Sequence, residues 1–329
     1  MAILSIGTMA LAVLHFGGVG GCGSSGEDGG KEEETAAEAR SDGATLVAIT
    51  SSGSYQNPAW SPDGLSLLFT RWRNGYNVEP ADLLIADLSD NSVRTLVSDG
   101  SANVNLPGSS WSESTGEIIF SSSRDPQDEV YLISEDGSTG DETKITERDG
   151  FVAFEPSFSP DAQTVVFESH ELDVEGNGII MTYRRDGTGG YVSLTDAGDD
   201  CRQPVWSPSG DKIVIQCQTS GQWDIWTLNT DGSEKTNLTN SSAVDETDPS
   251  FSPDGSRIVY SSGEGGLEFA NLFVIPSTGG DSTRVTNFSG YDGAPSWSPD
   301  GTRIAFESSP GEPDGSDGAT LWVINAPEL

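Results

Sequence analysis

Two histidines, His15 and His170, and three cysteines, Cys22, Cys201 and Cys217, are the only imidazoles and thiols among 329 residues. His15 lies in an apolar N-terminal run, so imidazole chemistry in the body of the protein rests on His170 alone. Standing beside Glu171 after an apolar run, it reads as a solvated loop residue. A His-held metal or a Ser-His pair needs more partners than that, and the chain has no G-x-S-x-G nucleophile elbow. With 52 Asp and Glu, some carboxylate pair must fall about 5–9 Å apart by chance, so abundance removes specificity. Glu171-Leu172-Asp173-Val174-Glu175-Gly176 alternates acids before a glycine as a calcium loop does, but Thr182 stands where a bidentate Glu would be needed. Residues 312–318 share that composition and read more simply as a long hairpin loop. No metal and no cofactor are expected. The chain reads as a non-catalytic binding protein, with a carboxylate-based hydrolase or lyase on a polysaccharide or peptide as the alternative.

The 16 basic residues against the 52 acidic ones give a net charge of −36, which excludes binding to a nucleic-acid backbone. An apolar share of 34% with 40 Gly and 17 Pro fits many short strands rather than helices. Spread along the whole chain, the acidity suits a saline medium that screens self-repulsion. The other reading is attraction of cations or a basic partner.

Residues 2–21 are apolar and Gly-rich and end in Val19-Gly20-Gly21-Cys22, which resembles the lipobox of bacterial lipoprotein signal peptides. Residues 1–21 are therefore expected to be a signal peptide and Cys22 the lipidated first residue of the mature chain. A plain cleaved signal or a membrane anchor is the alternative. No Lys or Arg precedes the run, so the start is expected to lie upstream of Met1. Residues 22–43 are acidic and lack aromatics; they read as a disordered tether. The expected location is the periplasm or cell surface, with membrane contact only through the lipid.

From Ala44 onward a motif recurs. Trp60-Ser61-Pro62-Asp63-Gly64, Phe158-Ser159-Pro160-Asp161, Trp206-Ser207-Pro208-Ser209-Gly210, Phe251-Ser252-Pro253-Asp254-Gly255 and Trp297-Ser298-Pro299-Asp300-Gly301 share one template, and Trp111-Ser112 opens a weaker sixth copy. A period near 45–51 residues fits one four-stranded propeller blade. Pro fixes φ and Gly or Asp accepts the tight geometry, so each motif is a turn from an aromatic strand into an apolar one. The sixth copy lacks a fourth strand, and residues 45–50 supply one. Residues 44–329 are thus expected to form an all-β, six-bladed β-propeller whose N-terminal strand closes the last blade.

These repeats resemble the WD40-like propeller repeats of the TolB family. The resemblance implies a periplasmic or surface-bound propeller. The family's N-terminal α/β domain has no room between Gly43 and Trp60. Related repeats occur in propellers of prolyl-oligopeptidase-type enzymes and oligogalacturonide lyases.

Two further expectations follow from strand geometry. If Trp206 opposes Ile213 across the Ser207–Asp211 turn, Cys201 falls within one residue of Cys217, close enough for a disulfide in an oxidising compartment. Two unlinked buried thiols are the alternative. The residues just before each motif converge on one end of the channel: Gln56, Asn57, Asn105, Glu155, Arg202, Gln203, Asp248 and Asp292. They form the expected binding mouth for an envelope protein, peptide or polymer, with Arg202 gripping a ligand carboxylate or neutralising neighbouring acids. A monomer is expected.

Overall fold

The computed structural model describes residues 40–328 except 50–51, 99, 101–102, 106–110, 173, 175, 197, 220, 264–265 and 311–317, and the side chains of 105, 219 and 268. The expected signal peptide, Cys22 and most of the tether lie outside the described residues.

Six four-stranded antiparallel sheets form the six blades, and among the described residues the only helix is the 3-10 turn Leu267–Phe269. The innermost strands are Ser54–Trp60, Val104–Asn105, Phe151–Phe158, Cys201–Trp206, Asp245–Phe251 and Tyr291–Trp297. Each continues into a second strand nine positions downstream of whose motif aromatic lies a fully or nearly fully buried side chain: Phe69, Phe120, Phe167, Ile215, Tyr260 and Phe306. Apolar clusters of this kind span adjacent blades, and they make the runs read from the sequence continuous rather than alternating.

The motif's serine and aspartate lock its turn. Ser61 Oγ donates to Asp63 Oδ1 at 2.6 Å and accepts from the Ser66 N–H at 2.9 Å. Ser159 with Asp161, Ser252 with Asp254 and Ser298 with Asp300 repeat the bond. Between blades, the turn glycine lies against the preceding blade's proline. A Cβ built on Gly64, Gly210, Gly255 or Gly301 would stand 3.3–3.7 Å from Pro299, Pro160, Pro208 or Pro253.

The ring closes through Thr45–Leu46, paired antiparallel to Thr320–Asn325 as the fourth strand of blade 6. Ordered packing starts before this strand, inside the segment read as tether. The Arg40 guanidinium donates to both carboxylate oxygens of Asp292 at 2.7 Å and lies 4.2 Å from the Phe288 ring centroid. Asp42 accepts from the N–H groups of Asn287 and Ala44. Composition averaged over 22–43 hides this, because two buried side chains suffice to order the last few residues.

Candidate functional site: the axial mouth

In five blades the inner strand carries a β-bulge, always three residues before the motif aromatic. The bulged residues are Asn57, Glu155, Gln203, Asp248 and Ala294, with φ of 53, 46, 50, 56 and 46°. Left-handed backbone at a residue other than glycine costs about 1–3 kcal/mol and persists only where surroundings impose it. Here the bulge turns each strand as it nears the axis and re-aims one side chain per blade. Asn and Asp accept this conformation more readily than most residues, which accounts for Asn57 and Asp248. Gln203 occupies it as well.

These side chains interlock. Gln203 Oε1 and Gln216 Oε1 both accept from the Asp248 N–H at 2.9 Å, while Asp248 Oδ2 accepts from Thr247 and Ser261 at 3.1 Å. The Gln203 N–H donates to Glu168 Oε2 at 3.2 Å, and Gln203 Nε2 reaches Glu155 Oε1 at 3.4 Å. On the opposite side, Glu307 accepts from the Asn57 N–H at 2.9 Å and from the Tyr76 hydroxyl at 3.0 Å. Tyr76 and Tyr291 meet edge to face.

Low polarity around this network shifts its acids. Burial, then Glu168 and Asp248, hold Glu155 well above the ordinary carboxylate range, and one of its oxygens has no hydrogen-bond partner. Burial pushes Glu307 up to about 7, with Asp248 adding to the effect. Burial likewise holds the Tyr76 and Tyr291 hydroxyls well above their usual value.

Of the expected mouth residues, Gln56, Glu155, Arg202 and Asp248 are buried at the axis, while Asn57 and Gln203 are partly exposed. Arg202 donates from Nε and Nη2 to the two Asp200 oxygens at 3.1 and 3.2 Å and lies 5.0 Å from the Trp223 ring centroid. Asp292 is fully buried and its carboxylate is taken by Arg40 and Ser308. The Asn105 backbone pairs with Ser121; its side chain lies outside the described residues.

His170 is not a loop residue. The second strand of blade 3 runs to Glu171 and pairs His170 with Val152, leaving the ring 7% exposed. Its Nε2 hydrogen-bonds Glu168 and its Nδ1 meets the Gly176 carbonyl at 3.2 Å. Burial opposes its charge, but the Glu168 bond outweighs that and holds its pKa above the ordinary value.

Sequence reasoning missed the second-strand layer behind the mouth. Thr70, Ser121, Glu168, Gln216, Ser261 and Glu307 each stand ten positions after a motif aromatic, and all are buried. A polar residue at one fixed offset, directly after an apolar run, was the available signal. Missed too was a cavity of about 260 Å³ at the other end of the channel, ringed by the aromatic-Ser-Pro motifs themselves.

Beside the mouth, Cys201 pairs opposite Cys217, with the sulfurs bonded at 2.02 Å and Cα atoms 4.1 Å apart. Trp206 does oppose Ile213, and the bulge between Arg202 and Val205 absorbs the one-residue offset between the two pairs. Among the described residues no group of three or more His, Cys, Asp or Glu is placed to hold a metal ion.

Comparison with known proteins agrees with this architecture. The protein TolB homolog of Chlorobium luteolum is 34% identical over 130 residues, which make up 39% of this chain and 27% of that relative. This chain thus matches only about a quarter of that protein's length. The crystal structure of TolB from Acinetobacter baumannii superposes with a TM-score of 0.59 at 18% identity, covering 83% of this chain and 64% of that one. An oligogalacturonate lyase from Vibrio parahaemolyticus superposes with a TM-score of 0.55 at 12% identity, over 89% of this chain and 97% of the lyase. At such identities these structures share the fold alone. The family model of the TolB beta propeller domain matches residues 30–268 and 188–309, and the chain belongs to that family.

Proposed function

We propose that the protein is an exported, non-catalytic binding propeller of the cell envelope, held to a membrane through lipidated Cys22, that receives an envelope protein, peptide or polymer at its axial mouth. One observation carries this reading. Four of the five bulged inner strands present a polar side chain to the axis, Asn57, Glu155, Gln203 and Asp248, in a backbone conformation that costs energy at each. Asn57 and Gln203 keep exposed surface there, and amides can donate to and accept from a ligand backbone. Arg202, paired with Asp200, contributes positive charge among acids. The lipobox-like Val19-Gly20-Gly21-Cys22 and membership of a TolB propeller family support an envelope location.

A pull-down from the native envelope tests this reading. A partner retained by the wild type should be lost by an Asn57→Ala/Gln203→Ala double variant that still folds, as checked by its melting transition. Arg202→Ala should weaken the same binding by about 1.5–3 kcal/mol, as for a hydrogen bond to a charged group. Equal retention by all of them would remove the mouth from the binding surface.

A second reading, a carboxylate-based lyase or hydrolase, draws on Glu307. It titrates near neutrality at about 7 and accepts from Tyr76, an arrangement suited to proton transfer. Cleavage of a polysaccharide or peptide by the purified protein, abolished by Glu307→Gln, would establish it over the first.

A further inference from the structure

The junction between blades 1 and 2 departs from its neighbours in three ways. First, the blade 2 turn carries Thr115 where blades 1, 4, 5 and 6 have Gly64, Gly210, Gly255 and Gly301, each lying against the preceding proline, and its own glycine, Gly116, stands one position later against Glu135 instead. Second, a cleft of about 600 Å³ opens at this seam, within the size range of ligand pockets. It shares Ser61, Pro62, Trp111 and Glu113 with the cavity at the motif end of the channel, so it leads outward from that cavity.

The third difference concerns the motif aromatic. Six positions after the aromatic of blade 5 stands Arg257, whose guanidinium lies 4.6 Å from the Trp297 ring centroid of blade 6. The corresponding Arg303 of blade 6 lies 4.5 Å from the Trp60 ring of blade 1. In blade 2 that position is Glu117, and it holds Arg185 at 2.7 Å, within 5.9 Å of the Phe158 ring of blade 3. In blade 1 the position is Ser66, which lines the cleft beside Trp111. Among the described residues no cation lies over Trp111. Trp206 also lacks one, but there Pro160 against Gly210 seals the junction.

The cleft is also acidic. Asp63, Asp87, Glu113, Glu135 and Asp136 line it against a single cation, Arg94, which is bonded to the Glu135 carbonyl. Glu135 also accepts from the Trp111 indole N–H at 3.2 Å, fixing the ring at the cleft wall. Serine hydrogen bonds hold Asp63 and Asp87 below the usual carboxylate range.

We propose that the blade 1–2 cleft is a second binding site, which takes an arginine side chain carried on an extended peptide segment of a basic partner. The guanidinium stacks on Trp111, where the protein's own arginines stack on Trp60 and Trp297, and its N–H groups meet the surrounding carboxylates. The segment bearing it runs outward from the motif-end cavity. This site lies at the other end of the channel from the axial mouth and does not depend on it.

The test uses a fluorescein-labelled octa-arginine peptide and fluorescence polarisation at physiological salt. Ser66→Arg fills the slot from within, and Thr164→Arg adds the same charge at the sealed blade 3–4 junction. The wild type and Thr164→Arg should bind saturably and alike, and Ser66→Arg at least fivefold more weakly. Trp111→Leu should weaken binding similarly while keeping the fold, as checked by melting. Equal binding by Ser66→Arg and Thr164→Arg, or no saturable binding by the wild type, would overturn the proposal. Loss of an envelope partner through the Asn57 and Gln203 variants concerns the mouth alone.

Discussion

Replacing Arg40 by alanine should cost the propeller far more than its place in an acidic stretch of sequence implies. Both Asp292 oxygens accept from its guanidinium at 2.7 Å, and Asp292 is fully buried. Without Arg40, the carboxylate keeps only Ser308 as a hydroxyl donor at 2.7 Å. Breaking a buried pair from one side costs about 3–5 kcal/mol, because a charge is left without compensation in a medium of low polarity. The stacking on Phe288 is lost as well. For a domain of this size, about 2–4 °C per kcal/mol puts the fall in melting temperature at roughly 6–20 °C. Near-ultraviolet circular dichroism, which reports on the tryptophans of the blade cores, would follow it. Arg40→Ala/Asp292→Asn should recover much of the loss, since the amide removes the stranded charge. A fall of less than about 2 °C for Arg40→Ala alone would show that the pair contributes no more than an exposed ion pair and would refute the reasoning.

Other outcomes follow from the same structure. Replacing Cys201 and Cys217 together by serine should lower stability by about 3 kcal/mol, the usual worth of a bridge closing a loop of this length; intact mass before and after reduction with alkylation reports the bond itself, and two free thiols would refute it. Burial raises Glu307, Glu246 and Asp128 to about 7 each. The folded state therefore binds protons that the unfolded chain has released, and stability should fall as pH rises from about 5 to 8, by up to about 3 kcal/mol for Glu307; melting against pH measures this, and a flat or rising profile would contradict it. At a net charge of −36, the melting temperature should rise with added salt as screening shortens from about 10 Å at 0.1 M to 3 Å at 1 M, and salt-independence would count against self-repulsion.

The architecture was legible because it is written six times. Aromatic-Ser-Pro turns, apolar runs and the missing sixth fourth strand set blade number and closure without any contact being known. The Cys201–Cys217 register was legible to within one residue, and the remaining residue is the bulge at the mouth. That bulge was hidden because it is not a local preference: Glu155, Gln203 and Ala294 have little intrinsic tendency toward left-handed backbone, and strands crowding on an axis impose it. His170 was misplaced because nothing in its neighbours marks where a strand ends once polar residues begin. Arg40 was missed because its partner lies 252 residues away.

The closing strand also sets a timetable. Thr45 and Leu46 emerge first among the described strands, yet their partners Val323 and Trp322 come near the far end of the sequence. Blades 1 to 5 can each be completed from a contiguous stretch, so they can form in the order in which they are delivered. The sixth cannot, and until it does the growing ring exposes an unpaired edge that invites pairing with another chain. Contacts of this sequence separation form late and slowly. The last turn of the ring and the closing strand would then lock in a single terminal event, and a truncation that removes Trp322 and Val323 would leave that strand without its partners.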